Sequence, residues 1–177
     1  MIENERVLIR PMERTDTDDV VRLRNDPAVL PQLFCDEPLD REGHLRWFER
    51  IQKDGTRHEF MIVERATGRS IGITGLNHLD RQHRRAEYGI VIGEAEARGK
   101  GLAFEASRLL LDYAFNKLGL HRLYLHAFTD NEPALRLYRK IGFTQEGFLH
   151  QHVCKNGRHR DVVVMAMLQG ERRDQIL

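Results

Sequence analysis

Apolar positions along the chain repeat every second residue in several short runs and every three to four residues in longer ones, so strands and helices interleave. Residues 6–10 predict a first strand. Thr15 can cap a helix running to about Asn25, where Pro27 stops it. Asp40 opens a second helix that carries Leu45, Phe48 and Ile51 on one side, with Gly55 past its end and Trp47 read as core. Residues 60–63, 70–76 and 86–92 read as strands, with Thr67-Gly68 and residues 79–85 as turns. A long helix over 101–118 stops at Gly119, a strand follows at 123–128, and a helix over 131–141 closes at Gly142. Residues 143–154 and 161–168 form a last pair of strands around Asn156-Gly157. This order is neither all-β nor a regular βα alternation. It predicts an α/β chain of mixed α+β character, a mixed sheet with helices on both faces and a ligand site beyond Ile92, at the carboxyl end of a strand.

Composition narrows the class. The 177 residues, with no repeat or Pro/Gly/Ser-rich linker, suit a single domain over 1–177. A net charge of +1 argues against a nucleic-acid or membrane-surface binder. Glu3, Glu5, Arg6 and Arg10 rule out a secretory apolar stretch at the start, and the longest apolar run, 162–168, is too short for a bilayer, so a cytoplasmic protein is expected. Cys35 and Cys154 lie far apart and read as reduced thiols. His150, His152 and Cys154 alternate along one strand but lack a convergent fourth group, and no metal is expected.

The most informative segment is Arg98-Gly99-Lys100-Gly101-Leu102-Ala103, which joins a strand to a helix. The first N–H groups of a helix lack internal partners and carry positive partial charge, so they can hold a phosphate. Arg98 and Lys100 add charge, and Gly99 and Gly101 let the backbone curl against a ligand. A P-loop is excluded because Gly101, not a hydroxyl residue, follows Lys100. The Rossmann fingerprint fails too, since Phe104 stands where its third glycine belongs and His121 where its acid would fall.

A second cluster lies at 131–143. Asn131 and Tyr138 are seven residues apart and share a helix face. Two readings stay open on spacing alone. Asn131 can be an N-cap and Tyr138 part of a core stripe with Ala134, Leu137 and Ile141, or Tyr138 can be a general acid for a thiolate leaving a cofactor held at the glycine turn.

Together these motifs resemble the Gcn5-related N-acetyltransferase (GNAT) superfamily, whose acetyl-CoA motif is Gln/Arg-x-x-Gly-x-Gly/Ala. Arg98, Gly101 and Ala103 occupy its fixed places. The stretch from His83-Arg84-Arg85-Ala86-Glu87-Tyr88 to Tyr138-Arg139-Lys140-Ile141-Gly142-Phe143 is similar to bacterial polyamine acetyltransferases and, more loosely, to ribosomal-protein N-terminal and amino-sugar acetyltransferases. The resemblance implies a central, mostly antiparallel sheet flanked by helices, with acetyl-CoA as co-substrate in a splay between central strands. It implies direct attack by a neutral amine, carbonyl polarisation by backbone amides near Val91 and Ile92, protonation of departing CoA by Tyr138, and contact of Asn131 with the cofactor arm. Gly99, Lys100 and Leu102 complete the expected cofactor set.

Glu87 is the candidate base for the amine, with pairing to Arg84 or Arg85 as the alternative. Asp36, Glu37 and Asp40 match an acidic stretch of the polyamine enzymes and imply a cationic small-molecule acceptor. Capping by Asp40 and ordinary solvated charge remain the other reading. Gly75 and His78 stand where those enzymes carry acids. The alternatives are an acetyltransferase of a ribosomal-protein N-terminus or an amino sugar, and a CoA-binding module without turnover. The last two strands offer an edge for a homodimer or larger homo-oligomer.

Overall fold

The computed structural model describes residues 1–171. Eight strands form one sheet: β1 (Ile2–Glu3), β2 (Val7–Pro11), β3 (His58–Glu64), β4 (Arg69–Asp80), β5 (Arg85–Ile92), β6 (Arg122–Phe128), β7 (Thr144–Lys155) and β8 (Arg158–Leu168). Their order is β1-β2-β3-β4-β5-β6-β8-β7, and every neighbouring pair is antiparallel except β5 and β6. Helices α1 (Thr17–Arg24) and α2 (Arg41–Ile51) cover one face, and α3 (Leu102–Asp112) and α4 (Glu132–Ile141) serve the other.

Strand alternation builds both cores. On β3, Met61 joins Val20, Leu23 and Phe48 under α1 and α2, while Phe60 and Ile62 join Leu110 and Phe115 under α3. Trp47 packs half-buried against the smaller cluster.

Several boundaries differ from the sequence reading. α1 starts at Thr17 after a 3-10 turn at Arg14–Asp16, and Asp16 rather than Thr15 organises the corner. Its carboxylate accepts from the Glu13 amide at 2.8 Å and from Arg10 at 2.8 and 2.7 Å, three donors that one hydroxyl could not serve. The long helix continues beyond α3 as a π-helical turn, Tyr113–Lys117, before Gly119 at φ +66°. β1 and a 3-10 turn at Leu30–Gln32 carry too few residues to show a period. β8 starts earlier than expected because Asn156 and Gly157, at φ +48° and +73°, make the whole hairpin turn.

Candidate active site

β5 and β6 pair only at Arg85↔Arg122, Ala86↔Leu123 and Glu87↔Tyr124, after which they diverge. Tyr88 is the first residue past the last pair. Its ring meets Phe143 at 5.4 Å and Tyr138 at 6.2 Å, an aromatic wedge at the point of the split. From Tyr88 to Ile92, the side of β5 facing β6 therefore has no strand partner. The gap is a cleft of about 780 Å³, walled by β5, the 97–104 turn, the start of α4 and the segment 28–35.

At one end, Gly99 and Gly101 adopt left-handed φ of +74° and +80°, which their missing Cβ atoms permit. They deliver the chain into α3 with no side-chain cap on its first N–H groups, and Leu102, Ala103 and Phe104 line the cleft. A diphosphate fits this chemistry. The charges expected to assist are placed otherwise. The Arg98 guanidinium pairs with Asp26 at 2.5 Å and donates to the carbonyls of Gly93 at 2.8 Å and Ile92 at 3.2 Å, so it shapes the turn while also lining the cleft. Lys100 lies exposed outside the cleft, its carbonyl held by Arg6 at 2.6 Å. Lys140, which sequence reasoning passed over, lines the cleft with its ammonium 4.9 Å from the Phe104 ring centre. It follows Tyr138 by two positions on α4, and only the fold brings it to Phe104.

Asn131 and Tyr138 both line the cleft. Asn131 caps α4, accepting from the Ala134 amide at 3.4 Å, so capping and a place in the cleft coexist. Tyr138 is 7% exposed, and burial pushes its phenol up to about 12, leaving it protonated at neutral pH. The other buried tyrosine, Tyr88, is tied to Ser107 Oγ at 2.7 Å, and Ser107 donates onward to the Ala103 carbonyl at 2.6 Å. Tyr138 has no such hydrogen bond within the described residues and is the one available to donate into the cleft.

At the other end stands Glu87. The alternative of pairing with Arg84 or Arg85 is overturned: Arg84 donates to the Gly119 carbonyl at 2.8 Å and Arg85 approaches Asp80 at 3.4 Å. Glu87 Oε1 instead meets His126 Nδ1 at 2.7 Å, and Oε2 lies 3.5 Å from His78 Nε2. Glu87 and His126 both line the cleft. His126 was missed because one histidine on a strand carries no local signal, and only the β5–β6 register sets it beside Glu87.

The structure places the expected acidic acceptor residues elsewhere than the cleft wall. Asp36, Glu37 and Asp40 do not line the cleft. Asp40 is consumed in capping α2, accepting from the Gly43 amide at 2.5 Å. Asp36 accepts from the Asn156 amide at 3.2 Å and lies 3.9 Å from Lys155, and Glu37 is exposed beside it. On that side the wall is Leu33, Phe34 and Cys35, with the Phe34 ring tilted 59° against Phe128 at 4.8 Å between centres.

Among the described residues, no group of three or more His, Cys, Asp or Glu could hold a metal, and His150 approaches Asp161 at 3.1 Å. No helix among them is long and apolar enough to cross a membrane.

The geometry matches known proteins along nearly the whole chain. The profile described as "Acetyltransferase (GNAT) domain" matches residues 6–144. This chain belongs to the GNAT acetyltransferase family. It is 35% identical over 164 residues to spermidine N(1)-acetyltransferase of Escherichia coli (strain K12), covering 92% of this chain and 86% of the relative. It is 36% identical over 175 residues to the putative ribosomal N-acetyltransferase YdaF of Bacillus subtilis (strain 168), covering 95% and 94%. The crystal structure of spermidine N-acetyltransferase from Vibrio cholerae with CoA and spermine superposes with a TM-score of 0.87 at 32% identity, covering 95% of this chain and 98% of that one. A dodecameric structure of the same enzyme in an intermediate state superposes at 0.82 with 30% identity, covering 98% and 100%. The GNAT fold, with its mixed, mostly antiparallel sheet and flanking helices, is thus the fold of this protein.

Proposed function

We propose that this protein acetylates a primary amine of a small polyamine such as spermidine, using acetyl-CoA. The observation that carries this reading is the unpaired edge of β5, which ends on the glycine turn at one side and on the Glu87–His126 pair at the other. The free N–H groups at Leu102, Ala103 and Phe104, with Gly99 and Gly101 giving room, suit the CoA diphosphate, and Asn131 and Lys140 stand beside its path.

An acceptor amine reaches neutral pH as an ammonium, and the Glu87–His126 pair is placed to take its proton. The neutral amine attacks the thioester carbonyl directly. Negative charge grows on the carbonyl oxygen beside β5, where the Ile92 amide, alternating with the β4-facing Val91, can donate, a contribution of about 3 kcal/mol per donor. Tyr138 gives its proton to the departing thiolate and recovers one from the new amide nitrogen. No acyl-enzyme is required.

A cationic acceptor is supported by Glu87 being the only carboxylate among the described residues lining the cleft, and by the substrates named for the relatives from Escherichia coli and Vibrio cholerae. The exposed free thiols of Cys35 and Cys154 fit a reducing cytoplasm, where acetyl-CoA is at hand. The edge strand β7, with Phe148 63% exposed, supports homo-oligomer assembly, in line with the dodecamer of the Vibrio cholerae relative.

The test is thiol release from acetyl-CoA with spermidine, glucosamine and a short peptide bearing a free N-terminus. Spermidine should turn over fastest. Faster peptide or amino-sugar turnover would redirect the acceptor assignment, and CoA binding without acetylation of any amine would leave only a binding module.

A further inference from the structure

The ladder between β4 and β5 breaks at one place. Asn77 faces Glu87 and Asp80 faces Arg85, so His78 and Leu79 together oppose Ala86, a bulge with one extra residue on β4. Leu79 keeps the core position beside Ala86. His78 is the surplus residue, and it takes a left-handed φ of +51°, a conformation that a residue with a Cβ adopts at a cost.

Regular alternation would set His78 on the face opposite Asn77. The bulge instead brings its Nε2 to 3.5 Å from Glu87 Oε2. Oε1 of the same carboxylate is held by His126 Nδ1 at 2.7 Å. The three groups form a row: His126 lines the cleft, Glu87 bridges, and His78, with its side chain 63% exposed, faces water. Asp54, from the loop before β3, lies within electrostatic reach of His78, and Tyr124 stands on β6 near Glu87. Arg57 neighbours Asp54 at 3.7 Å and bonds Asn77 at 2.7 Å.

The stoichiometry of amine acetylation calls for such a row. R–NH3⁺ and acetyl-CoA give R–NH–acetyl, CoA–SH and H⁺, so one proton leaves the cleft in each turnover. It originates on the nitrogen before the N–C bond forms and the C–S bond breaks. Tyr138 is not its outlet, because the proton that phenol gives to sulfur is replaced by the second nitrogen proton.

We propose that His78 is the outer member of a proton relay, carrying the acceptor's proton from the Glu87–His126 pair to solvent. The proposal rests on reading the cleft as an amine acetyltransferase site. His78 acts through Glu87 and is a positioning and relay residue, not one that touches the substrate.

The test is kcat/KM for spermidine at saturating acetyl-CoA in the full chain, across pH, for His78→Gly and His78→Asn. Both replacements tolerate the left-handed backbone, so the bulge survives, and neither carries a proton. The relay predicts a fall of about tenfold, a small share of what a general base supplies. It also predicts recovery of His78→Gly on adding imidazole, rising with the concentration of its free base. Rates equal to the parent at every pH, or a loss that imidazole leaves untouched in a folded variant, would overturn it. Glu87→Gln separates the two levels. If Glu87→Gln itself keeps the parent rate, the underlying base assignment fails; if it is impaired while His78→Gly is not, only the relay fails.

Discussion

Arg98 reaches back 72 residues to Asp26, and this pair, at 2.5 Å, ties the glycine turn to the end of α1. The guanidinium also collects the carbonyls of Ile92 and Gly93, so one side chain sets the path from β5 into the turn. Asp26 itself does not line the cleft.

Replacing Asp26 by Ala should therefore weaken a site it never touches. The expected result is a loss of about 1 to 3 kcal/mol in stability, for a charge-assisted bond left with one partner, and a raised KM for acetyl-CoA with kcat nearly kept. Thermal melts and an acetyl-CoA titration check both halves. An unchanged KM would mean that the turn holds its shape without the tie.

Tyr138→Phe keeps the ring in the aromatic wedge and removes only the proton. Turnover should fall about 100-fold, the low end for a general acid, while CoA affinity and melting temperature stay close to the parent. Because burial holds the phenol near 12, the parent should show no loss of activity from its ionisation up to about pH 10. A parallel rate for the Phe variant across pH would remove the acid role.

Asp40→Ala separates capping from acceptor binding. Losing the bond to the Gly43 amide should cost about 1 kcal/mol. The KM for spermidine should not move, since Asp40 is outside the cleft. A KM shift at constant stability would return Asp40 to the acceptor site.

Glu59 gives stability its own pH dependence. It sits on β3 under the first two helices, with Oε2 2.6 Å from where a Cβ on Gly75 would lie, and burial lifts its carboxyl to about 7 against an unperturbed 4.5. A folded value above the unfolded one means that the native state holds the proton more tightly. The stabilisation is complete below about pH 4.5 and is lost as pH rises to about 7, with an upper bound of roughly 3 kcal/mol. Glu59→Gln, which stays neutral, should gain in melting temperature relative to the parent on going from pH 5 to pH 8. A constant difference would show that Arg57, 3.7 Å away, already compensates the charge.

What could be read from the sequence were features whose causes are local. Gly119, Gly142 and Asn156-Gly157 end or turn their elements because their own backbones take left-handed angles, and such residues announce themselves. The glycine turn before α3 and the shared face of Asn131 and Tyr138 are local in the same sense. The Arg98–Asp26 pair could not be read in advance, because it is set by tertiary contact 72 residues away, and a cation near an anion site looks the same whether free or paired. The placing of Asp36 and Asp40 was hidden too. Asp40 satisfies a local amide and Asp36 one 120 residues away, and a run of acids does not reveal which way each one faces. His126 and the bulge at His78 depend on strand register, which no single strand encodes.

A sheet margin with bare amides ordinarily invites other chains to add themselves, and many proteins guard their outer strands with charge for that reason. Here the bare margin is internal. β5 has lost its neighbour in the middle of the sheet, between two helices and the 28–35 segment, where a folded chain has no room to dock. The protein thus keeps the adhesive chemistry of a strand border while denying it to its own kind, and reserves it for a slender ligand that can slide in end first.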